Sequence, residues 1–243
     1  MLILLVSRMN RKASPAVALH LAEVRVPDLP WHMSYAFGGG RSVLDFFMNS
    51  TLDYYNSQAS YFFDNTVGID FSNIEDRFLK YVPEHGLILD YGCGSGRDTK
   101  YFLDRGFQVE AIDGSEELCK AASRYTGIEV KHCYFSDLDE SQKYDGIWAC
   151  ASILHERSEV IPLIFSRMEK ALKSGGALYV SFKYGSFEGE RGGRYFTDMT
   201  EERLGLAIKN CHDLVTVEEW VSTDARPDRC DEKWLNAIFV KRG

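Results

Sequence analysis

The sequence has no long hydrophobic run: no stretch approaches the 18 or so continuous apolar residues that a membrane-spanning helix needs. Its N-terminal apolar run is short and has no basic residue before it, unlike the core of a secretory signal peptide. These two absences argue against export and against membrane insertion. They predict a cytoplasmic protein without a membrane partner.

Cysteine pairs of the kind that bind zinc are also absent. None of the 6 cysteines belongs to a Cys-x-x-Cys pair, and their spacing matches no zinc site. Buried single cysteines are common in reducing compartments, where disulfides rarely persist. The pattern therefore predicts reduced thiols and no metal site.

A basic excess is missing as well. The chain has 28 Lys and Arg residues against 36 Asp and Glu residues, which gives a formal net charge of −8. Proteins that bind duplex nucleic acid usually carry a positive patch or a positive net charge. This balance disfavours a nucleic-acid partner.

The 243 residues suffice for one domain with an extension. Residues 1–47 show no persistent period and include a three-glycine break at Gly38–Gly40, whereas the pattern is regular from Met48 onward. We therefore predict an extension over 1–47 and a folded domain over 48–243. The extension is interpreted as sequence upstream of the true start, as a mobile arm, or as a lid or dimer element. A monomer and a homodimer are both compatible with the sequence.

Strand and helix patterns alternate along the predicted domain. Strands are predicted at 87–91, 107–112, 128–131, 146–150, 177–182, 214–221 and 234–240. Helices are predicted at 50–63, 71–80, 96–105, from a cap at Ser115, from Ser158 to a stop at Gly175-Gly176, and from Thr200 to about 210. This order predicts an α/β fold: a Rossmann-like three-layer αβα sandwich with a mixed seven-stranded sheet and one antiparallel edge strand. Ligands of such sheets bind at the carboxyl ends of the strands.

A glycine-rich turn follows the first predicted strand. Glycines stand at 92, 94 and 96 in the segment Asp90–Asp98, directly between a strand and a helix. Glycine allows positive φ and close approach of a ligand, and the helix N-terminus beyond offers free N–H donors. The spacing is G-x-G-x-G, which departs from the G-x-G-x-x-G fingerprint of dinucleotide sites and so counts against NAD.

Two further strand ends carry polar residues. Asp113 ends the second strand, where its carboxylate could accept both hydroxyls of a ribose, or could instead cap the next helix, a role that Ser115 can already fill. Ser136 and Asp137 follow the third strand, where a polar group could meet an adenine amino group. A plain surface turn is the other interpretation of that pair.

With these residues in place, the sequence resembles the class I S-adenosylmethionine (SAM)-dependent methyltransferases. Within them it is similar to the small stand-alone bacterial type related to tellurite-resistance and ubiquinone-type enzymes. The resemblance covers roughly residues 50–243. Four segments carry it, in family order: Leu89–Asp98, Ala111–Ser115, Tyr144–His155 and Leu172–Gly176.

The resemblance implies SAM as the cofactor and a role for each matching position. Asp90 and the glycine turn would hold the methionine moiety, Asp113 the ribose, Ser136 and Asp137 the adenine, and Ala149 the region below the sulfonium. The implied cofactor-binding residues are Asp90, Gly92, Cys93, Gly94, Gly96, Asp113, Gly114, Ser115, Ser136, Asp137 and Ala149.

Methyl transfer from a sulfonium is an in-line displacement, so the protein mainly supplies alignment and a dry pocket. A general base is needed only for an acceptor that carries a proton, and His155, after the fourth strand, is the candidate. The other interpretation is a loop histidine bonded to backbone or to Glu156.

Candidate acceptor-binding residues are Tyr54, Tyr55 and Arg194. The two tyrosines could cover the cofactor as a lid or pack into the core. Arg191 and Arg194, in a glycine-rich segment after the fifth strand, could grip an anion or lie on a solvated hairpin.

The sequence therefore favours a SAM-dependent methyltransferase with a small-molecule acceptor. Neither the Asp/Asn-Pro-Pro-aromatic tetrapeptide of amino-methylating DNA enzymes nor a Pro-Cys or Thr-Cys nucleophile occurs. The alternatives are a protein or tRNA acceptor, a non-catalytic SAM-binding interaction protein, and an NAD-dependent oxidoreductase.

Overall fold

The computed structural model describes residues 43–226 and 229–243, with side chains from residue 50 onward. The chain divides between Phe46 and Phe47, and the fold below belongs to the unit Phe47–Gly243. The predicted extension over 1–47 lies outside the described residues, apart from the backbone of 43–47. The predicted domain boundary therefore stays a prediction.

Helices precede the sheet and then alternate with its strands. The helices are α1 Val43–Ser57, α2 Ala59–Thr66, α3 Ser72–Leu79, α4 Arg97–Asp104, α5 Glu116–Thr126, α6 Ile161–Ala171 and α7 Glu201–Ala207. The strands are β1 Leu87–Tyr91, β2 Gln108–Asp113, β3 Val130–His132, β4 Tyr144–Ala149, β5 Leu172–Lys183, β6 Glu188–Arg191, β7 Arg194–Thr197, β8 Leu214–Thr223 and β9 Lys233–Lys241. Short 3₁₀ turns lie at Phe135–Asp137 and Ile153–His155.

Seven of these strands form one mixed sheet in the order β3-β2-β1-β4-β5-β9-β8. The first five pair in parallel, β9 pairs antiparallel with β5, and the edge strand β8 pairs antiparallel with β9. This confirms the predicted mixed sheet, whose edge strand β8 pairs antiparallel with its neighbour. β6 and β7 form a separate two-stranded antiparallel hairpin, which we call the 188–197 hairpin.

The core has two layers because side chains alternate across each strand. Leu89, Ile147 and Val180 belong to one cluster, which also contains residues of α6 and α7. Ile88 and Trp148 belong to a second cluster with residues of α3 and α4. Helices therefore cover both faces of the sheet, as the predicted three-layer sandwich requires.

Two predicted helices differ from the observed ones. The aromatic helix expected over 50–63 is broken at Gln58, whose φ of −110° and ψ of 15° leave the helical region. Across the break, the Tyr55 and Phe62 rings meet edge to face, with 5.1 Å between their centroids.

The stop predicted at Gly175-Gly176 was also wrong by several residues. Helix α6 ends at Ala171, and the chain passes straight into β5 at Leu172. The register shift between β4 and β5 at Tyr144 and Gly146 absorbs the extra residues before regular pairing begins. Among the described residues, no helix is both long enough and apolar enough to cross a membrane.

Candidate functional site

A cavity of about 250 Å³ runs along the carboxyl edge of the parallel strands. It extends from the end of β2 past β1, β4 and β5 to β9 and β8. Its lining includes Leu52, Tyr55, Phe62, Phe71, Gly92, Cys93, Gly94, Arg97, Asp98, Asp113, Gly114, Phe135, Cys150, Ser152, His155, Glu156, Lys183, Arg194, Phe196, Arg226, Arg229, Trp234 and Asn236. We call the part around Gly92, Gly94 and Asp113 the glycine-turn end, and the part around His155, Arg194 and Phe196 the hairpin end.

Backbone conformation forms the glycine-turn end. Gly92, Gly94 and Gly96 have φ values of +89°, +57° and +80°, which side-chain-bearing residues rarely adopt. A Cβ on Gly92 would lie 2.5 Å from the Cβ of Ser152, and one on Gly94 would lie 3.0 Å from the Phe62 ring. The first two glycines line the cavity, whereas Gly96 packs against α5 and lies outside the lining. The turn therefore needs glycine for both conformation and space.

Asp113 is held against this turn by backbone donors. Its Oδ2 accepts the Gly94 N–H at 2.9 Å and its Oδ1 accepts the Ser115 N–H at 2.8 Å. Burial raises the pKa of Asp113, while these two bonds oppose the rise. Each carboxylate oxygen keeps a second lone pair for a ligand hydroxyl. Asp113 and Gly114 line the cavity, and Ser115 lies behind them as the cap of α5.

Asp90 lies beneath the glycine turn and does not line the cavity. Its side chain is buried, and its Oδ2 accepts the Thr99 hydroxyl at 2.5 Å. Burial, reinforced by the neighbouring Asp98 carboxylate, raises the pKa of Asp90 to about 8. The structure therefore gives Asp90 a place in the support of the turn, and its predicted contact with an ammonium group stays a prediction.

A pair that sequence reasoning did not assign lies at the start of α4. The Arg97 guanidinium donates to Asp98, and the Trp148 indole N–H donates to Asp98 Oδ2 at 2.7 Å. Arg97 also lies over the Phe71 ring at 4.5 Å. Both Arg97 and Asp98 line the cavity. Together they place an ion pair next to the glycine turn.

Behind this pair lies Glu75 on α3, which is buried near Asp98 and whose Oε1 has no hydrogen-bond partner in the described part of the chain. Burial and the Asp98 charge raise the pKa of Glu75 to about 10, so its carboxyl group is protonated at neutral pH. The sequence carries a signal for it: Glu75 occupies the apolar stripe formed by Phe71, Ile74 and Phe78 at i, i+3, i+4 and i+7 spacing. A lone acid on an apolar stripe indicates a buried polar contact.

The predicted adenine-side residues are not at the cavity wall. Asp137 Oδ2 accepts the Tyr134 N–H at 3.1 Å, and Ser136 donates to Asp137 Oδ1 at 3.3 Å. Both side chains are thus used within their own 3₁₀ turn, and Phe135 lines the cavity instead. The predicted contact of Ser136 and Asp137 with adenine stays a prediction. Ala149 is fully buried, and the next residue, Cys150, is the one at the wall.

The hairpin end is formed by side chains from three distant segments. His155 Nδ1 lies 2.6 Å from the carbonyl oxygen of Tyr195, which can only accept, so Nδ1 carries the ring proton. His155 Nε2 therefore accepts from the Tyr55 hydroxyl at 2.8 Å. Arg194 Nη1 donates to that same hydroxyl at 3.3 Å. Burial lowers the pKa of His155 to about 4, so the imidazole is neutral.

These contacts bring three of the candidate residues, His155, Tyr55 and Arg194, together and leave Tyr54 outside the cavity lining. The Tyr54 ring lies 4.6 Å from the Arg194 guanidinium carbon and supports it from outside. Arg191, the other predicted cation, pairs with Asp198 at 2.7 Å and does not line the cavity.

Helix α1 joins both ends of the cavity, which its sequence alone does not reveal. Thr51 Oγ1 accepts the Tyr195 N–H at 2.9 Å. Five residues further along α1, Asn56 Oδ1 accepts the Ser115 hydroxyl at 2.8 Å and the Glu117 N–H at 3.3 Å. Asn56 thus adds an acceptor to the N-terminus of α5, beside Asp113. An Asn inside a helix can bond locally or face solvent, so the sequence around Asn56 does not predict this contact.

Comparison with known proteins agrees with this geometry. Residues 88–176 match the family model described as a methyltransferase domain. A Staphylococcus carnosus protein named as an uncharacterized methyltransferase is 25% identical over 188 residues, which cover 74% of this chain and 88% of that one.

Two solved structures show the same fold. One is the Burkholderia thailandensis 1,6-didemethyltoxoflavin-N1-methyltransferase, crystallised with 1,6-didemethyltoxoflavin and S-adenosylhomocysteine, with 19% identity, a TM-score of 0.69 and coverage of 84% of this chain and 92% of that one. The other is the N-methyltransferase NodS of Bradyrhizobium japonicum, with 16% identity, a TM-score of 0.58 and coverage of 77% and 98%. The matched domain, the sheet order and the glycine turn agree with one another: the chain contains a methyltransferase domain over residues 88–176 and has the fold of SAM-dependent methyltransferases.

Proposed function

We propose that this protein transfers the methyl group of SAM to a small-molecule acceptor. The observation that carries the proposal is one cavity whose glycine-turn end offers Asp113 and a side-chain-free backbone, and whose hairpin end offers His155, Tyr55 and Arg194. A cofactor and a compact acceptor would fill such a cavity together. The structural neighbour crystallised with 1,6-didemethyltoxoflavin and S-adenosylhomocysteine favours a small-molecule acceptor.

The residues at the glycine-turn end fit SAM. Gly92 and Gly94 line the cavity with backbone alone, and Asp113 keeps lone pairs for two ribose hydroxyls. Phe135 would cover the adenine ring, beside the candidates Ser136 and Asp137. Arg97, which is paired with Asp98, offers further N–H donors for the methionine carboxylate. When bound, SAM would supply an electrophilic methyl group on its sulfonium.

At the hairpin end the chain would orient the acceptor and handle its proton. His155 Nε2 accepts a hydrogen bond, and an acceptor N–H or O–H could replace the Tyr55 hydroxyl there. With its pKa lowered to about 4, His155 is a weak base, so it would take a proton only as methylation makes that proton acidic. Glu156 lines the same cavity, and burial raises its pKa to about 7, which suits it to carry the proton onward.

The test is calorimetric titration of the protein with S-adenosylhomocysteine, with NAD in parallel, followed by labelled SAM with small acceptors, bulk protein and tRNA. We expect micromolar binding of S-adenosylhomocysteine alone and label in the small-molecule fraction. Label in the protein or tRNA fraction would support the macromolecular alternative instead. A folded protein that binds S-adenosylhomocysteine but transfers no label would favour a non-catalytic binding protein.

A further inference from the structure

The cations that line the cavity differ in whether a carboxylate neutralises them. Arg97 pairs with Asp98, Lys183 with Glu232, and Arg226 with both oxygens of Asp224. Arg229 lies 3.8 Å from Glu232. Each of these pairs places an acid of this chain against the cation, so a ligand anion would have to compete with it.

Arg194 differs from these four. In the described part of the chain no carboxylate pairs with it, and its one hydrogen bond goes to the neutral Tyr55 hydroxyl. Its Nε is buried and has no hydrogen-bond partner there. A buried guanidinium N–H without an acceptor costs free energy, which an incoming acceptor atom would recover.

Aromatic rings surround this guanidinium. Its central carbon lies 4.6 Å from the Tyr54 ring centroid, 5.1 Å from that of Phe196 and 5.7 Å from that of Tyr55. These rings exclude water and strengthen a charge-assisted bond at the edge of the guanidinium. They also provide flat apolar surface on which a planar ligand can stack. A planar guanidinium fork suits the two oxygens of a carboxylate.

We infer that the methyl acceptor is a planar organic acid whose carboxylate pairs with Arg194 while its ring lies against the aromatic wall of the hairpin end. The inference rests on the proposed function and narrows its substrate class. The negative net charge of the protein does not oppose it, because the field at the site is set by the unneutralised guanidinium rather than by distant, screened surface acids.

The chain offers a matched control for this inference. Arg191 lies directly opposite Arg194 in the register of the 188–197 hairpin. It also contacts the Phe196 ring, at 4.7 Å, but it pairs with Asp198 and does not line the cavity. Arg191→Gln removes one positive charge from the same hairpin without changing the cavity wall.

The experiment titrates benzoate and 4-hydroxybenzoate, with benzamide and 4-hydroxybenzamide as uncharged isosteres, into protein saturated with S-adenosylhomocysteine. We expect each acid to bind about tenfold or more tightly than its amide. Arg194→Gln should abolish that preference, Arg194→Lys should retain part of it, and Arg191→Gln should leave it unchanged. Retained binding of S-adenosylhomocysteine by Arg194→Gln shows that the variant is folded.

Equal affinity for acids and amides, equal losses in Arg191→Gln and Arg194→Gln, or no binding of either acid would overturn the inference. The acids are also titrated without S-adenosylhomocysteine. If the wild-type protein does not bind S-adenosylhomocysteine, the proposed function is contradicted. The titrations without S-adenosylhomocysteine still show whether acids bind more tightly than amides, so the two failures can be distinguished.

Discussion

The cavity has one end whose wall is mainly backbone and another whose wall is mainly side chains. At the glycine-turn end, Gly92 and Gly94 leave the main chain bare, and Asp113 is held by two N–H groups of nearby residues. At the hairpin end, Tyr55 and His155 meet across 100 positions of sequence, and Arg194 and Tyr55 across 139. A backbone wall suits a cofactor that is common to a large family. A side-chain wall suits an acceptor particular to one enzyme, because side chains can change without disturbing the sheet.

The strongest way to break this comparison is to add a side chain at the glycine-turn end. Gly92→Ala places a Cβ 2.5 Å from the Ser152 Cβ, at a φ of +89° that alanine rarely adopts. We expect the variant to lose affinity for S-adenosylhomocysteine by two orders of magnitude or more, measured by calorimetry.

Gly127→Ala is the matched control. Gly127 ends α5 with a φ of +80°, and no atom lies within 4 Å of an added Cβ. It should lower the melting temperature through backbone strain alone and leave affinity for S-adenosylhomocysteine unchanged. If the two variants bind equally well, the turn does not form the cofactor wall.

The hairpin end is tested by the dependence of folding stability on pH. The pKa of His155 is lowered from 6.5 to about 4. Below pH 6.5 the unfolded chain therefore binds a proton at His155 that the folded chain does not bind. Relative to His155→Gln, the wild-type protein should therefore lose roughly 3 kcal/mol of stability as the pH falls from 6.5 to 4.

Its neighbour Glu156 predicts the opposite slope. Its pKa is raised from 4.5 to about 7, so the folded chain keeps a proton that the unfolded chain releases. Relative to Glu156→Gln, the free energy of unfolding of the wild-type protein should fall by a similar amount as the pH rises from 4.5 to 7. Urea unfolding of the three proteins between pH 4 and 8 measures both slopes. Parallel curves for wild type and both variants would mean that neither group is held in its neutral form.

These two ends also differ in how far the sequence could predict them. The glycine turn, Asp113 and Ser115 form a local arrangement of strand, turn and helix, so spacing along the chain was enough to find them. Asp137 has the same residue type in a similar place, and its carboxylate likewise accepts a backbone N–H, from Tyr134 three residues earlier. Residue type alone cannot distinguish an acidic residue that stabilises its own turn from one that binds a ligand.

The hairpin end could be predicted only as a set of candidates. His155, Tyr55 and Arg194 were named for their chemistry, but nothing in their spacing links them, and Arg191 was as good a candidate as Arg194. The structure separates the two arginines, because Asp198 pairs with one and rings surround the other. Long-range pairing of this kind depends on topology, which composition and periodicity do not specify.

A smaller effect is expected from the ribose carboxylate. Asp113→Asn keeps the shape but turns one oxygen into a donor, so it should weaken binding of S-adenosylhomocysteine by about 1–3 kcal/mol. Asp145→Asn is the control, because Asp145 also accepts a backbone N–H, from Leu87 at 2.9 Å, and does not line the cavity. It should change stability without changing affinity. Wild-type affinity in a folded Asp113→Asn variant would remove Asp113 from the ribose role.

The smallest expected effect tests whether the hairpin end is held by the Tyr55 hydroxyl itself. Tyr55→Phe keeps the ring contacts but leaves His155 Nε2 without its donor, so the free energy of unfolding should fall by about 1 kcal/mol. The neighbouring Tyr54 hydroxyl has no hydrogen-bond partner in the described part of the chain, and Tyr54→Phe should have little effect. Urea unfolding compares the two variants, and calorimetry should find unchanged affinity for S-adenosylhomocysteine in both. If Tyr55→Phe weakens cofactor binding as much as Asp113→Asn does, the two ends act as one site and the division between backbone and side-chain walls fails.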